Sequence, residues 1–541
     1  MTTPLFQQQV LSLMTALDWI VIVTYSAGMI GFSVYLGRGQ SSQEDYFVGG
    51  RNLPWWAVGI STMATQTSAI SFISIPAFVA LKTDGGLTWL QYELAVPLAM
   101  IVVMVFLIPF FRRLQLVSVY GYLERRFSPS VRYLVSFVFL ISRAVGTGVG
   151  VYASAIVLSV CLGTPLWLTI LIIGVVTIIY DTLGGMTAVV YSDVIQMAIL
   201  LSGIGLCIFY AVDIAGGFKS ILHTIPPGRL RAIDPSTGLG DGGAAPFWAF
   251  LIGGFFLYTS YYGTDQSQVQ RELSARTTDE TKKSLVFNGI ARFPLTVLYV
   301  LMGITVGAAF QLSPELRASV PYDKPDYLIP QFILLNLPAG VRGLIFAAML
   351  AAAMSSLDSA LNSLSAATMR DFLDRRITQT SSPLLWSKLT TVAWGIAITC
   401  FAFLVGHMSE TVIEAINKIG SVSFGPILAT FLVGVLSKKA NSQGIIPGIV
   451  AGVALNLFLW LGFEDIHWMW WNLFGFLMTS VVALVVSAII TSPQPEDVGE
   501  YVLNWNAILK EERRWMVTYA LLIFYFLLML SFMLLVQRLA Q

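Results

Sequence analysis

Apolar stretches long enough to cross a lipid bilayer recur along the whole chain, and nothing constrains its fold more. A membrane helix needs about 20 predominantly apolar residues, and about fourteen such stretches can be placed. They lie near 16–36, 53–81, 85–110, 130–161, 163–182, 185–214, 245–273, 281–310, 340–375, 383–405, 409–437, 441–465, 467–492 and 512–537. Hydrocarbon offers the backbone no hydrogen-bond partners, so helices that satisfy their own N–H and C=O groups are the form such stretches take. The expected fold class is an all-α integral membrane protein of about 14 transmembrane helices. Composition agrees: 56% of the 541 residues are hydrophobic and 11% are charged, where soluble domains carry roughly 25% charged residues.

Several function classes fall away. Lys and Arg total 31 against 30 Asp and Glu, so the basic excess of a nucleic-acid binder is missing and no nucleic-acid partner is expected. Cys161, Cys207 and Cys400 each sit in an apolar run, without disulfide or metal-ligand spacing. His223, His407 and His467 are far apart, and neither HExxH nor GxSxG occurs, so an enzyme is not expected and no cofactor is implied. The first fifteen residues lack Lys and Arg, so no cleaved signal peptide is expected and the first apolar run stays in the protein.

Loop cations set the expected direction. If the chain starts outside, 20 Lys and Arg fall on the cytoplasmic side, 8 outside, and Arg143, Arg292 and Lys418 within helices. The inner clusters are Arg112, Arg113, Arg125 and Arg126, then Arg271, Arg276, Lys282 and Lys283, then Arg370, Arg375 and Arg376, then Lys510, Arg513 and Arg514. The expectation is a multi-pass protein of the plasma (inner) membrane with both termini outside. The stretches 215–244 and 311–339 read as external loops with one short helix each. The tail from Pro493 to Asn506 reads as a polar cytoplasmic loop, and the aromatic run His467–Trp471 as an interfacial belt.

Polar residues at membrane depth are costly, about 2.5 to 3.5 kcal/mol for a charge on insertion scales, so each cluster is a candidate site. Ser61, Thr62, Thr65, Gln66, Thr67, Ser68, Ser71 and Ser74 crowd one span, with Pro76 downstream. In another, Gly253, Gly254 and Gly263 flank Thr259, Ser260, Tyr261 and Asp265. Both spans are expected to break. Small residues also tighten helix packing, but eight polar residues in one span exceed that need. Two interrupted spans at matching places in two five-helix halves, 53–214 and 245–437, point to an inverted-repeat transporter with its site at the midplane. Residues 1–52 then form an extra helix and loop, 215–244 the loop between the halves, and 438–541 three C-terminal helices. Ser355, Asp358, Ser359 and Asn362 share one helix face beside Ser356, an oxygen-rich stripe suited to a hard cation such as sodium. Asp193 either reaches the same ion or caps its helix.

At these residues the chain resembles the sodium:solute symporter family, whose members share a LeuT-like core of two inverted five-helix repeats. The likeness runs through DYFVGGRNLPWWAVGIS, YGYLERRF, DTLGGMTAVVYSDVIQ, TDQSQVQRELSART, AAAMSSLDSALNS and SFGPILATFLVGVLSKK, and so covers nearly the whole chain. It implies one helix before the ten-helix core and three after. It implies a sodium site made of the backbone carbonyls of Ala64, Thr67 and Ala352 with the hydroxyls of Ser355 and Ser356. Asp193 matches an aspartate close to this site, and some relatives bind a second sodium through it and further serines. Asp358 stands where such a relative has serine, while Ser359 keeps the pattern.

For the solute, Glu93 matches a sugar-contacting glutamate of sodium–sugar members and Tyr261 their gating tyrosine. Arg292 stands where those members have lysine, and Asn417 where they have glutamine. Ser71 and Tyr258 depart from the sugar site. YLERRF, TLGGMTAV and QSQVQR look more like the branch that carries monocarboxylates, vitamins and iodide. Arg143 with Arg292 could meet a carboxylate through bidentate hydrogen bonds. Alternatively Arg292 pairs with Glu93 or Asp265, and Arg143 with Asp181 or backbone carbonyls.

The implied function is sodium-coupled import of a small polar organic solute, sugar or carboxylate-bearing, by alternating access. Gln66, Ser68, Ser71, Glu93, Tyr261, Arg292 and Asn417 would line the cavity. One charge crossing 100 mV yields about 2.3 kcal/mol and a tenfold sodium gradient about 1.4, enough together for roughly 500-fold accumulation. The expected partners are the sodium ion as co-transported ligand, the solute and the bilayer. A transporter-like solute sensor or an uncoupled facilitator is the alternative.

Overall fold

Continuously apolar stretches form uninterrupted helices, and stretches crowded with hydroxyls or glycines interrupt them. The computed structural model describes residues 14–540 except 84, 242–244, 323, 375–381, 405–411, 464, 491 and 493–497. Arg375, Arg376 and the start of the expected tail loop thus lie outside the described residues. The principal helices, in chain order, are α1 (Ala16–Gly37), α2 (Trp55–Gln66), α3 (Ala69–Leu81), α4 (Leu87–Arg113), α5 (Pro129–Leu162), α6 (Leu166–Ile214), α7 (Gly254–Thr264) and α8 (Gln266–Glu272). They continue with α9 (Thr278–Leu312), α10 (Val341–Ala367), α11 (Pro383–Leu404), α12 (Val412–Leu436), α13 (Ser442–Gly462), α14 (Met469–Ile489) and α15 (Met516–Ala540). Isolated bridges, Leu53 with Ala275 and Leu239 with Ile466, are the extent of β-pairing among the described residues.

Among the described residues, 11 helices are long and apolar enough to cross a membrane, or up to 12 with α2 and α3 taken as one bent span. Two of the expected stretches, 163–182 and 185–214, appear as the single 49-residue element α6. Straight, it would extend about 74 Å, more than twice the roughly 30 Å of hydrocarbon. It is not straight, because Gly185 within it has φ 55° and ψ −162°, a region open essentially to glycine alone. A Cβ on Gly185 would lie 2.8 Å from the Tyr46 carbonyl oxygen. The stretch expected at 245–273 is the pair α7 and α8, each too short to cross by itself.

α10 is the central post: 89% of its most apolar window is buried, and it packs against α1, α5, α6 and α8. α1, α14 and α15 expose most of their apolar surface and form the outer layer.

Some cations expected to lie free in loops are instead buried ties. Arg112 donates to the carbonyls of Leu273 (2.9 Å), Ala275 (2.8 Å) and Arg276 (3.0 Å). Arg126, fully buried, donates to Gly434 (3.0 Å) and Ala440 (3.1 Å). Helix ends leave carbonyls unpaired, and a guanidinium with several donors satisfies them across elements.

The two stretches expected to be external loops hold more helix than expected. One carries Phe218–Thr224 and a 3₁₀ turn, and the other Pro314–Ser319 and Leu328–Asn336. The tail likewise contains the short helix Val498–Tyr501. The aromatic run is not a lipid-facing belt. Trp470 Nε1 donates to the Thr237 carbonyl (2.8 Å), and Trp468, Trp470 and Trp471 are buried. The run clamps the 215–244 loop onto the bundle.

Gly185→Ala is expected to lower the thermal midpoint of the purified protein, by an amount corresponding to about 1–3 kcal/mol of backbone strain. An unchanged midpoint would contradict the hinge geometry.

Candidate solute and sodium site

The site grows out of the two helix breaks. α2 ends at Gln66 because Thr67 leaves helical geometry (φ −97°, ψ 85°) and its N–H turns to Ala64 O at 2.8 Å. Ser68 then caps α3 by accepting from Ser71 N–H. The pieces meet at 59°. The second break falls at Asp265 (φ −76°, ψ 121°), whose carboxylate accepts from Ser267 N–H at 2.8 Å and caps α8. Serine, threonine and aspartate compete for backbone partners in this way, which is why hydroxyl-rich spans stop.

Between the breaks lies a cavity of about 240 Å³, small on the ligand-pocket scale of roughly 300–1,000 Å³. Gln66, Ser68, Ser71, Glu93, Arg143, Tyr261, Arg292 and Asn417 all line it. All eight solute candidates are therefore brought together. Gln66 Oε1 accepts from Tyr262 at 2.8 Å, and Tyr261 OH accepts from Gln268 at 2.6 Å.

Sequence reasoning missed the aromatic wall. Trp89 stacks on Tyr92 at 5.4 Å and 8°, and Tyr92 meets Tyr258 edge-on at 5.8 Å. The signal was available as Trp89 and Tyr92 just before the acidic Glu93, three residues apart on one helical turn.

The two cavity arginines differ. Arg292 is fully engaged by Glu93, with Nε to Oε2 at 3.2 Å and Nη2 to Oε1 at 2.5 Å, and both residues are buried. Arg143 is held loosely. Its Nη1 lies 3.6 Å from Asp265 Oδ2, its Nη2 donates to the Ser267 hydroxyl, and its Nε has no hydrogen-bond partner. Asp181, offered above as its partner, forms no ion pair with it; Asp181 is buried with both carboxylate oxygens free of hydrogen bonds.

The sodium candidates lie on α2, α6 and α10. Ser356 borders the cavity, and its hydroxyl points to Ala352 O at 3.4 Å. Ser355 donates to Asp193 Oδ1 and Ser61 to Asp193 Oδ2, each at 2.5 Å. Asp193 sits in the body of α6, so it does not cap a helix. Asp358 accepts from the Tyr180 hydroxyl, and Ser359 accepts from Arg271 while donating to Ser355 O at 2.6 Å. Asp193, Ser355, Asp358 and Ser359 thus lie behind the cavity wall and not on it. Arg271, counted above as a loop cation, is buried at their centre, donating to Ser61 at 2.9 Å and lying 3.7 Å from Asp193.

A family model described as the sodium:solute symporter family matches residues 46–452. The chain belongs to the sodium:solute symporter family. It is 30% identical to the sodium/sialic acid symporter NanT of Aliivibrio fischeri, over 87% of this chain and 93% of that protein. It is also 30% identical to the human sodium/iodide cotransporter, over 80% of this chain and 67% of that one. Identity with the Xenopus laevis sodium-coupled monocarboxylate transporter 1 is again 30%, covering 83% and 72%. In structure it superposes on a Na+-coupled sialic acid symporter in a substrate-bound outward-open state with a TM-score of 0.79 and 26% identity, covering 89% of this chain and 99% of that one. These relatives are transporters rather than enzymes, and the fold is LeuT-like.

Arg292→Gln strands a buried Glu93, and losing one partner of such a pair costs about 3–5 kcal/mol. The expected result is a sharp fall in thermal midpoint that the double variant Glu93→Gln/Arg292→Gln largely restores; a double variant no better than the single would show that the pair is not coupled.

Proposed function

We propose that this protein is a sodium-coupled symporter that imports a small carboxylate-bearing polar solute by alternating access. The observation that carries the reading is the convergence of eight polar side chains on one small cavity between two broken helices, with Ser356 of the oxygen-rich stripe at its edge. The solute's carboxylate meets Arg143. Arg292 already has a close carboxylate partner in Glu93, whereas Arg143, which also lines the cavity, meets its carboxylate partner Asp265 only at 3.6 Å and otherwise bonds the neutral Ser267 and Tyr261 hydroxyls. A planar guanidinium matches a carboxylate bidentately. The relatives named above support an anionic cargo, since sialic acid, monocarboxylates and iodide all carry negative charge.

Sodium binds where α2 unwinds against α10, on the carbonyls of Ala64, Thr67 and Ala352 and the hydroxyls of Ser355 and Ser356. A hydroxyl has one donor and two lone pairs. Ser355 gives its proton to Asp193, so its lone pairs remain for the ion, and Asp193 acts as the orienting second layer. Sodium there holds the unwound end of α2 against α10 and completes the outward form that admits the solute. Counting α6 as two crossings parted at Gly185 and α7 with α8 as one, the chain makes about 14 crossings with two five-helix halves in opposite sense. The arginine-rich end then faces the cytoplasm and both termini face outside.

Thermal unfolding against carboxylates and neutral sugars, in sodium and in potassium, tests this. A carboxylate should stabilise the protein only in sodium, by about 2.7 kcal/mol at a hundred times its Kd. Equal stabilisation in both salts would leave a facilitator or sensor, and a response confined to neutral sugars would remove the Arg143 assignment. In proteoliposomes Ser356→Ala should raise the sodium concentration for half-maximal uptake; unchanged sodium dependence would remove that ligand.

A further inference from the structure

α8 starts directly after the cavity-lining Thr264 and Asp265, and its side chains lock it to the surrounding elements. Gln266 accepts from Val119 N–H at 2.8 Å and donates to Val117 O at 2.7 Å. Gln270 donates to Phe47 O and to Asn362 Oδ1, both at 2.6 Å. Arg271 ties the same helix to Ser61 on α2 and Ser359 on α10. All seven residues of α8 are buried. The seal is thus a set of side-chain bonds radiating from one short helix.

The start of that helix is tied to the solute cavity. Asp265 caps α8 through Ser267 N–H and also accepts from the Ser267 hydroxyl. Arg143, reaching across from α5, contacts both members of this cap: the Asp265 carboxylate at 3.6 Å and the Ser267 hydroxyl. One guanidinium therefore lines the cavity and braces the first turn of the sealing helix.

We propose that Arg143, Asp265 and Ser267 form the link by which solute occupancy reaches the cytoplasmic seal. An anionic group that takes the Arg143 guanidinium competes directly with Asp265 and Ser267 for the same donors. A close bidentate carboxylate outcompetes a pair held at 3.6 Å. Asp265 then loses its cation and the bracing between α5 and α8 is undone, which leaves only the Gln266, Gln270 and Arg271 bonds to hold α8 and makes its departure from Val117, Val119 and Phe47 less costly. The solute shifts the equilibrium because it bonds Arg143 only in the released arrangement. This rests on the reading that the solute binds at Arg143. Asp265, although it borders the cavity, and Ser267, behind it, act in this scheme through Arg143 and are positioning residues.

The test uses the full-length protein in detergent, with exposed Cys400 replaced by serine and Val119, buried under Gln266, replaced by cysteine as a reporter of opening. Asp265→Asn removes the charge but keeps an equally good helix cap. Without solute it should speed thiol labelling at position 119 by about tenfold, equivalent to about 1.4 kcal/mol in the opening equilibrium. Carboxylate solutes should speed labelling in the parent and add nothing in Asp265→Asn. In uptake, that variant should show a lower half-saturation concentration, because Arg143 has lost its competitor, together with a lower maximal rate. A labelling rate equal to the parent's overturns the link whatever solutes do. Faster labelling in the variant with no solute response in the parent upholds the link and counts instead against solute binding at Arg143. If Asp265→Asn does not purify as folded protein, Ser267→Ala, which keeps both charges, decides: parent-like labelling there overturns the link.

Discussion

Hydrocarbon supplies no hydrogen-bond partners, and this molecule is organised around the two places where its helices stop inside it. A broken helix at that depth persists only where the freed groups are buried in protein or line a polar cavity. Here Thr67 turns its N–H back to Ala64, Ser68 restarts the helix, and Asp265 caps the next piece. Residues at both breaks, Gln66 and Ser68 at one and Thr264 and Asp265 at the other, line the cavity. In the proposed sodium site stability and function have a common origin, because backbone oxygens that would be a liability in lipid are the kind a hard cation seeks.

Charge is handled by the same rule. A buried charge is tolerated when it is paired. Arg292 has Glu93, Arg271 has Asp193 with Ser61 and Ser359, and Arg132 has Asp371 and Glu124. Arg143 is the loosely held case, with a long contact to Asp265 and an unpartnered Nε. The two cavity arginines therefore differ in how closely a carboxylate holds them. The cavity as a whole is close to electrically balanced, so an entering anion must displace an internal carboxylate from its guanidinium.

Much of this was legible in the chain itself. The run from Ser61 to Ser74 and the glycines around Tyr261 marked both breaks, because hydroxyls and glycines at membrane depth cannot be explained by lipid. The residues offered for solute, from Gln66 to Asn417, line one cavity. What could not be read was which charges meet. Arg271 looked like a loop cation and lies fully buried, because its neighbours come from α2, α6 and α10, up to about two hundred residues away in sequence. The aromatic run at His467 looked like a headgroup belt, yet it folds under the 215–244 loop because Thr237 offers Trp470 a carbonyl.

The sequence by itself determined the solvent, the helical class, the broken spans and the family, since each depends on composition or on spacing within one segment. Only the tertiary structure decided that Glu93 belongs to Arg292 and Asp265 to Arg143, that Ser355 faces Asp193, and that the oxygen stripe of α10 lies largely behind the cavity wall. Pairing energies fall off steeply with distance in a low-dielectric interior. Angstrom-scale separations between helices far apart in the chain therefore decide them, and no local pattern encodes those.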